Sequence, residues 1–302
     1  MNIWLTDNVV LSWEIFNIYQ YRRRAEALFN IPRKMNSHFY VPQNVPVKEV
    51  VHSIWQIDRL SSFRKEHIIP KGVLEIIFNF SDSTPISAHL GNKQYHLPNC
   101  FISGFNTTPI RLHLPKKQIF FGVTLQPLAA KKIIGAPASA FSDILVDLTL
   151  LSATFSNLWH ELAENNNFET RVSIFSRWIQ SKQFAWHAQE KLMNHFLCAP
   201  NQHDLSVGQL ADSLCYSPRH LGRKILEATG MNTEEILLYK KYLHAVDLMH
   251  HADLSLTEIA FKSNFSDQSH FIKSFKAYAQ LTPGEYNRNK SLVKGHIFEN
   301  VR

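Results

Sequence analysis

The sequence predicts a multidomain α+β chain. An antiparallel β sandwich or barrel-like domain comes first, a helical segment follows, and an all-α domain closes it with two helix-turn-helix units joined by a long helix. Three observations predict this order. Short β-prone runs broken by prolines fill residues 45–127. One helical motif occurs twice between residues 205 and 285. The stretch joining the two copies has helical apolar spacing and no Gly or Pro.

At 302 residues, 45% of them hydrophobic, the chain is long enough for two or three domains with sizeable cores. No run of about 18 apolar residues occurs, so no membrane span is expected. The opening MNIWLTDNVVLSWEIFNIYQYRRR has acidic residues early and its basic cluster after the apolar part, the reverse of a secretory signal. Residues 1–34 fit neither domain. Met35 opens MNSHFYVPQNVPV in the manner of a natural start, so residues 1–34 are expected to be an upstream extension; an amphipathic helix is the alternative. Cys100, Cys198 and Cys215 are odd in number and lack metal-ligand spacing, as for reduced thiols in a cytoplasm.

The β-rich domain is expected over residues 35–140. Its candidate strands are Val50–Ile57, Leu74–Phe80, Cys100–Ile102 and Gln118–Leu125, with breaks at Pro70, Pro85, Pro98, Pro109 and Pro115. In residues 141–182, Phe155, Leu158, Trp159 and Leu162, then Val172, Phe175 and Ile179, recur at helical spacing and predict a helical linker. Residues 183–290 hold the repeated motif, and residues 291–302 are expected to be a tail.

The later copy reads IAFKSNFSDQSHFIKSFK. As a helix over 267–278, it lines up Phe271, Phe275 and Tyr278 on one apolar face, with Ser269, Ile272, Lys273 and Lys276 on another and Gln268 just before them. The earlier copy is LSVGQLADSLCYSPRHLGRKILEATGMNTEE. Val207, Leu210, Ala211 and Leu214 match Leu256, Ile259, Ala260 and Ser263 at an offset of 49, and Tyr216-Ser217 matches Phe265-Ser266. One inserted residue makes the offset 50 for Leu221, Arg223 and Ile225 against Phe271, Lys273 and Phe275. Asn232 with Glu235, and Thr282 with Glu285, have capping-box spacing, and Pro283 falls at a first helical position. Two helix-turn-helix units follow from this repeat. The rod between them, residues 233–250 within NTEEILLYKKYLHAVDLMHH, should be about 27 Å long at ~1.5 Å per residue, a little under the ~34 Å between successive major-groove faces of B-DNA.

These stretches, with Gly230 and LTPGEY, resemble the DNA-binding domain of the AraC family of transcription regulators, over about a third of the chain. More loosely, HIIPKGVLEIIFNFSD and FGVTLQPLAAKKIIGAPASAFSD resemble the N-terminal regulatory domain of one subgroup, implying a β-rich sensor or interaction domain. The resemblance implies a bacterial-type cytoplasmic regulator. Its implied partners are double-stranded DNA, an unspecified small-molecule or protein effector, RNA polymerase and a second copy. No cofactor is implied, and residues 141–182 serve either dimerisation or packing within the domain. Three positions depart from the family: Asn264 and Gln280 stand where Gly is usual, and Asn232-Thr233 replaces Ser-Pro. A Gln at positive φ would cost about 1–2 kcal/mol.

Helix register leaves Arg219, His220 and Arg223 facing outward in the first unit, with Lys224 beside them as a phosphate contact or a solvated lysine. In the second unit, Gln268, Ser269 and Lys273 are the corresponding base-reading candidates and Lys276 a backbone contact. Charge supports this weakly. Residues 200–302 hold 12 Lys and Arg against 11 Asp and Glu, whereas residues 1–199 hold 20 against 14. Nonspecific DNA binding should therefore be weak.

Two alternatives remain at this stage: a protein-interaction module with a degenerate DNA-binding domain, and a cupin-like metal enzyme fused to one. His52, His67, His89, His96 and His113 fall where a cupin would place ligands, yet no His-x-His occurs. No Gly-x-Ser-x-Gly elbow or phosphate loop is found either, so an enzyme is not expected.

Overall fold

The computed structural model describes residues 35–60, 63–81, 86–199 and 204–300; the expected extension over residues 1–34 lies outside them. The front of the chain forms β1 (Met35–Tyr40), a single helical turn α1 (Val47–Val50), β2 (Val51–Leu60), β3 (Phe63–Ile68), β4 (Leu74–Asn79), β5 (Ser87–Leu90), β6 (Lys93–His96), β7 (Cys100–Ser103), β8 (Ile110–His113) and β9 (Lys117–Leu125). A short helix α2 (Ala129–Ile133), strand β10 (Leu145–Asp147) and helices α3 (Ala153–Ala163) and α4 (Phe168–Gln180) follow. The rest is helical up to the end: α5 (Ala188–Cys198), α6 (Val207–Ser213), α7 (Pro218–Thr229), α8 (Thr233–His251), α9 (Leu256–Lys262), α10 (Gln268–Ala279) and α11 (Pro283–Asn289), then strand β11 (His296–Asn300).

Two sheets stack as a sandwich. The first has the order β1-β2-β9-β4-β7-β10 and the second β11-β3-β8-β5-β6. Strand β9 is buried at nearly every position, as a strand covered on both faces should be. Its Gly122 lies opposite Trp55. A Cβ there would fall 2.1 Å from the indole, so only glycine lets Trp55 lie across the β9 backbone.

The outer face of the first sheet is covered by α3 and α4. Asn167 caps α4 by accepting from the Thr170 N–H. Phe155, Leu158, Leu162, Phe175 and Ile179 are buried in one cluster with Ile54, Phe78 and Phe121 of the sheet. Arg171 of α4 is buried among them, donating to Leu162 O at 3.0 Å and Gln56 Oε1 at 2.9 Å with its guanidinium 4.1 Å from the Phe80 ring. The Trp159 Nε1–H donates to Asn79 O at 3.0 Å. These side chains of residues 141–182 pack within the β domain.

Two expectations need correction. The expected tail over residues 291–302 contributes β11, which pairs antiparallel with β3 from His296↔Ile68 onward. The linker expected over 141–182 is part of the β domain and includes β10, paired with β7. Neither short strand has the apolar content of an isolated strand; each is stabilised by a pre-formed edge.

The long helix α8 lies against the β domain. Tyr239 and Tyr242 are fully buried and donate to Asn106 O at 2.8 Å and Pro70 O at 3.2 Å. Gly72, at φ +68, leaves no room for a Cβ, which would lie 2.5 Å from Leu243 Cδ1. At the far end of α8, the hydroxyl of buried Tyr286 accepts from the Gly295 N–H at 3.0 Å and sits 2.5 Å from His250 Nε2. Burial first, then the Lys290 charge, pushes the His250 pKa down to about 4. An unfolded histidine titrates near 6.5, so between about 6.5 and 4 the unfolded chain binds the extra proton and the folded one does not. Stability is expected to fall as pH drops through that window. Denaturant midpoints at pH 7 and 5 check it: His250→Gln should lessen the difference, and an equal pH dependence in the variant would refute this origin.

Candidate nucleic-acid interface

The repeat is carried into the backbone. Helices α6 and α9 share the 49-residue offset, while α7 and α10 share the 50-residue offset. Ser206 with Gln209, and Ser255 with Glu258, form matching capping boxes at the two starts. Each turn places a residue in the left-handed region, Cys215 at φ 56° and Asn264 at φ 57°. Ser217 and Asp267 then cap the recognition helices, accepting from the His220 and His270 N–H groups. Gly230 (φ 79°) and Gln280 (φ 55°) end them in left-handed C-caps. Gln280 therefore holds the strained conformation that its position implied. Its side chain has a partner: Oε1 accepts from Arg111 Nη2 of the β domain at 3.1 Å.

Leu221 and Ile225 anchor α7, and Phe271 and Phe275 anchor α10; all four are fully buried. The opposite faces carry the candidates. Arg219, Arg223, Gln268, Ser269, Lys273 and Lys276 are exposed, and His220 is half-buried. Gln268 is held near the turn because its Oε1 accepts from Thr257 Oγ1 of α9 at 3.0 Å. His220 meets the Tyr216 ring edge-on at 4.9 Å.

Two residues alter the expected set. Lys224 is half-buried and lies 3.6 Å from Glu227, which Lys131 of the β domain also contacts. Its ammonium lies beside the Glu227–Lys131 ion pair. His270, absent from the expected set, is the 50-offset counterpart of His220. It meets Phe265 edge-on at 5.3 Å as His220 meets Tyr216. The signal was present in the offset itself.

Around the five β-domain histidines no metal centre forms: among the described residues, no three His, Cys, Asp or Glu side chains converge. The described cysteines are all free, Cys100 buried and Cys215 exposed. Burial pushes the Cys100 and Cys198 thiols up, away from nucleophilic use.

A family described as a helix-turn-helix domain matches residues 210–289, a span that takes in α7, all of α8 and both helices of the second unit. The C-terminal part is an AraC-type helix-turn-helix domain. In front of it, residues 39–147 match a domain of unknown function, DUF6597. An uncharacterised helix-turn-helix-type transcriptional regulator of Staphylococcus aureus (strain MSSA476) is 21% identical over 142 residues, covering 44% of this chain and 19% of the relative. The transcriptional activator RhaS of Escherichia coli O1:K1 is 24% identical over 154 residues, 51% of this chain and 48% of RhaS. The chain thus spans about a fifth of the first of these relatives and about half of the second. Among solved structures, ToxT of Vibrio cholerae is similar over 85% of this chain and 98% of its own, at 14% identity and a TM-score of 0.43.

In this AraC-type domain, α8 sets the spacing of the two recognition helices. Its 19 residues give a rod of about 28 Å at ~1.5 Å per residue. Asn232 caps its start in a box with Glu235. Lys240 Nζ ties its middle to α5 by donating to Phe196 O at 2.7 Å and Ala199 O at 2.6 Å.

Proposed function

We propose that the chain is a sequence-specific DNA-binding transcription regulator that reads two adjacent major-groove segments, with its β domain regulating that activity in response to an effector. One observation carries the reading. Two recognition helices with matching cap positions and turns project polar faces from a single packed rod, with the candidate base-reading side chains exposed on each. Arg219 and Arg223 can fork onto guanine O6 and N7, and Gln268 onto adenine N6 and N7. Ser269 and Lys273 extend the second face, His220 adds a donor to the first, and Lys276 neutralises a phosphate. Lys224 contributes to the domain boundary.

Double-stranded DNA is the partner, and RNA polymerase and a second copy of the chain are further partners. The chain works in the cytoplasm, without catalysis and without a cofactor. Among the described residues, no helix is long and apolar enough to cross a membrane.

Selection of bound sequences from random duplexes at fixed salt tests the proposal. The expected product is two short motifs about one helical turn apart, ~10 base pairs. Enrichment of a single half-site would restrict base reading to one unit. No enrichment, with and without cell extract, would refute the reading.

A further inference from the structure

The outward face of α7 carries one large apolar side chain, Leu226, which is 52% exposed. A lone exposed leucine is ordinary on a protein surface, so its place is what matters. At ~100° of rotation per residue, Arg219, Arg223 and Leu226 fall within about 60° of one another. They stand opposite the fully buried anchors Leu221 and Ile225. A surface that meets both guanidinium groups therefore meets Leu226 as well.

Gly222 enlarges this apolar patch. It stands four residues before Leu226, and helical side chains lean toward the N-terminus, so the Leu226 isobutyl group lies over the turn that holds Gly222. Gly222 has no side chain to hide it. Glycine weakens a helix interior relative to alanine, and packing does not call for it here. A Cβ at this position would stand 3.6 Å from Thr233 Oγ1, an ordinary contact. Leu226 over Gly222 forms a shallow apolar notch beside the two arginines.

The second unit has no such notch. At the 50-residue offset, Ile272 stands for Gly222 and Lys276 for Leu226. Ile272 packs against the hydrophobic core, and Lys276 is exposed. Two helices with matching cap positions thus present different chemistry at one register position, an isobutyl group on the first and an ammonium on the second.

The major groove offers one apolar group, the C5-methyl of thymine; the other groups on its base edges are donors and acceptors. The phosphates on either side are charged and suit Lys276 better than Leu226. We infer that the notch of Leu226 over Gly222 receives a thymine methyl in the half-site whose guanine Arg219 or Arg223 reads. Leu226 is then a specificity-determining residue of the first unit. This inference rests on the DNA-binding reading and adds a base to it.

Replacing the thymines of the selected duplex one at a time by deoxyuridine removes only that methyl group and tests the contact. Burying one methyl corresponds to about fourfold in affinity. In the half-site whose preference Arg223→Ala relaxes, one such replacement should weaken binding of the unaltered chain at least threefold. The same replacement should cost Leu226→Ala less than about 1.5-fold, while Leu226→Met, which keeps an apolar contact, should retain the loss. The uracil scan on the unaltered chain decides even where a variant fails to fold. No threefold loss at any thymine of that half-site, or a loss above twofold remaining in Leu226→Ala, would overturn the assignment. A selected duplex that tolerates uracil throughout overturns this inference alone, whereas failure to select any duplex overturns it together with the DNA-binding reading.

Discussion

Arg223→Ala is expected to lower affinity for the selected operator by about 1–3 kcal/mol, roughly five- to 150-fold, with preference lost at one base position. Gln268→Ala does the same at a base in the other segment. These losses are expected to exceed those of Ser269, Lys273 and Lys276 for two reasons. Each side chain can make a bidentate bond to a base edge, and each stands on a helix anchored by fully buried neighbours, Ile225 behind Arg223 and Phe271 behind Gln268. Gln268 is also held in place by Thr257, so less side-chain freedom is lost on binding. Lys276→Ala should behave differently. A phosphate contact weakens all sequences alike and reduces the salt slope by about 1. Binding curves on operator and scrambled duplexes at several salt concentrations separate the two patterns. If Arg223→Ala weakened both duplexes equally, its side chain would be a phosphate contact and the base-reading assignment would fall.

Lys240→Ala is expected to destabilise the C-terminal domain by about 3 kcal/mol or more. The residue is 1% exposed. Its ammonium satisfies the carbonyls of Phe196 and Ala199 where α5 ends, and it lies 4.7 Å from the Phe196 ring centroid. Alanine removes these bonds, leaves acceptors buried, and opens space where the four-carbon stem packed. Each charge-assisted hydrogen bond contributes about 1.5–3 kcal/mol, which sets the scale. Lys240→Met restores the apolar stem but not the donor, so it should recover part of the loss. Urea unfolding of the three proteins measures both terms. A loss below about 1 kcal/mol for alanine would mean that water replaces the ammonium and that α5 is not held by this residue.

The two units were legible because their code is local. Capping boxes, left-handed turn positions and anchors at i and i+4 depend on neighbours within one or two turns of helix, and the duplicated pattern stated them twice. Four strands of the β domain, β2, β4, β7 and β9, were legible as apolar runs for the same reason. Strands β3, β5, β6 and β8 were not: FRKEHI, SAHL, KQYH and IRLH mix charged, polar and apolar residues and become strands only beside a partner.

The site divides along the same line. The sequence by itself determined which side chains face outward from each recognition helix, because helix register follows from the buried anchors. Only the tertiary structure decided that Glu227, beside Lys224, reaches Lys131, that Gln280 reaches Arg111, and that Lys240, placed on the apolar stripe of α8, is a buried donor to α5. It alone made residues 296–300 a strand of the first domain and brought Tyr239 and Tyr242 against the carbonyls of Asn106 and Pro70. Each of these contacts joins residues tens to hundreds of positions apart. Propensity and spacing act over a few residues, whereas the pairing of distant carbonyls, hydroxyls and charges is fixed only when two finished surfaces meet and every buried polar group must find a partner.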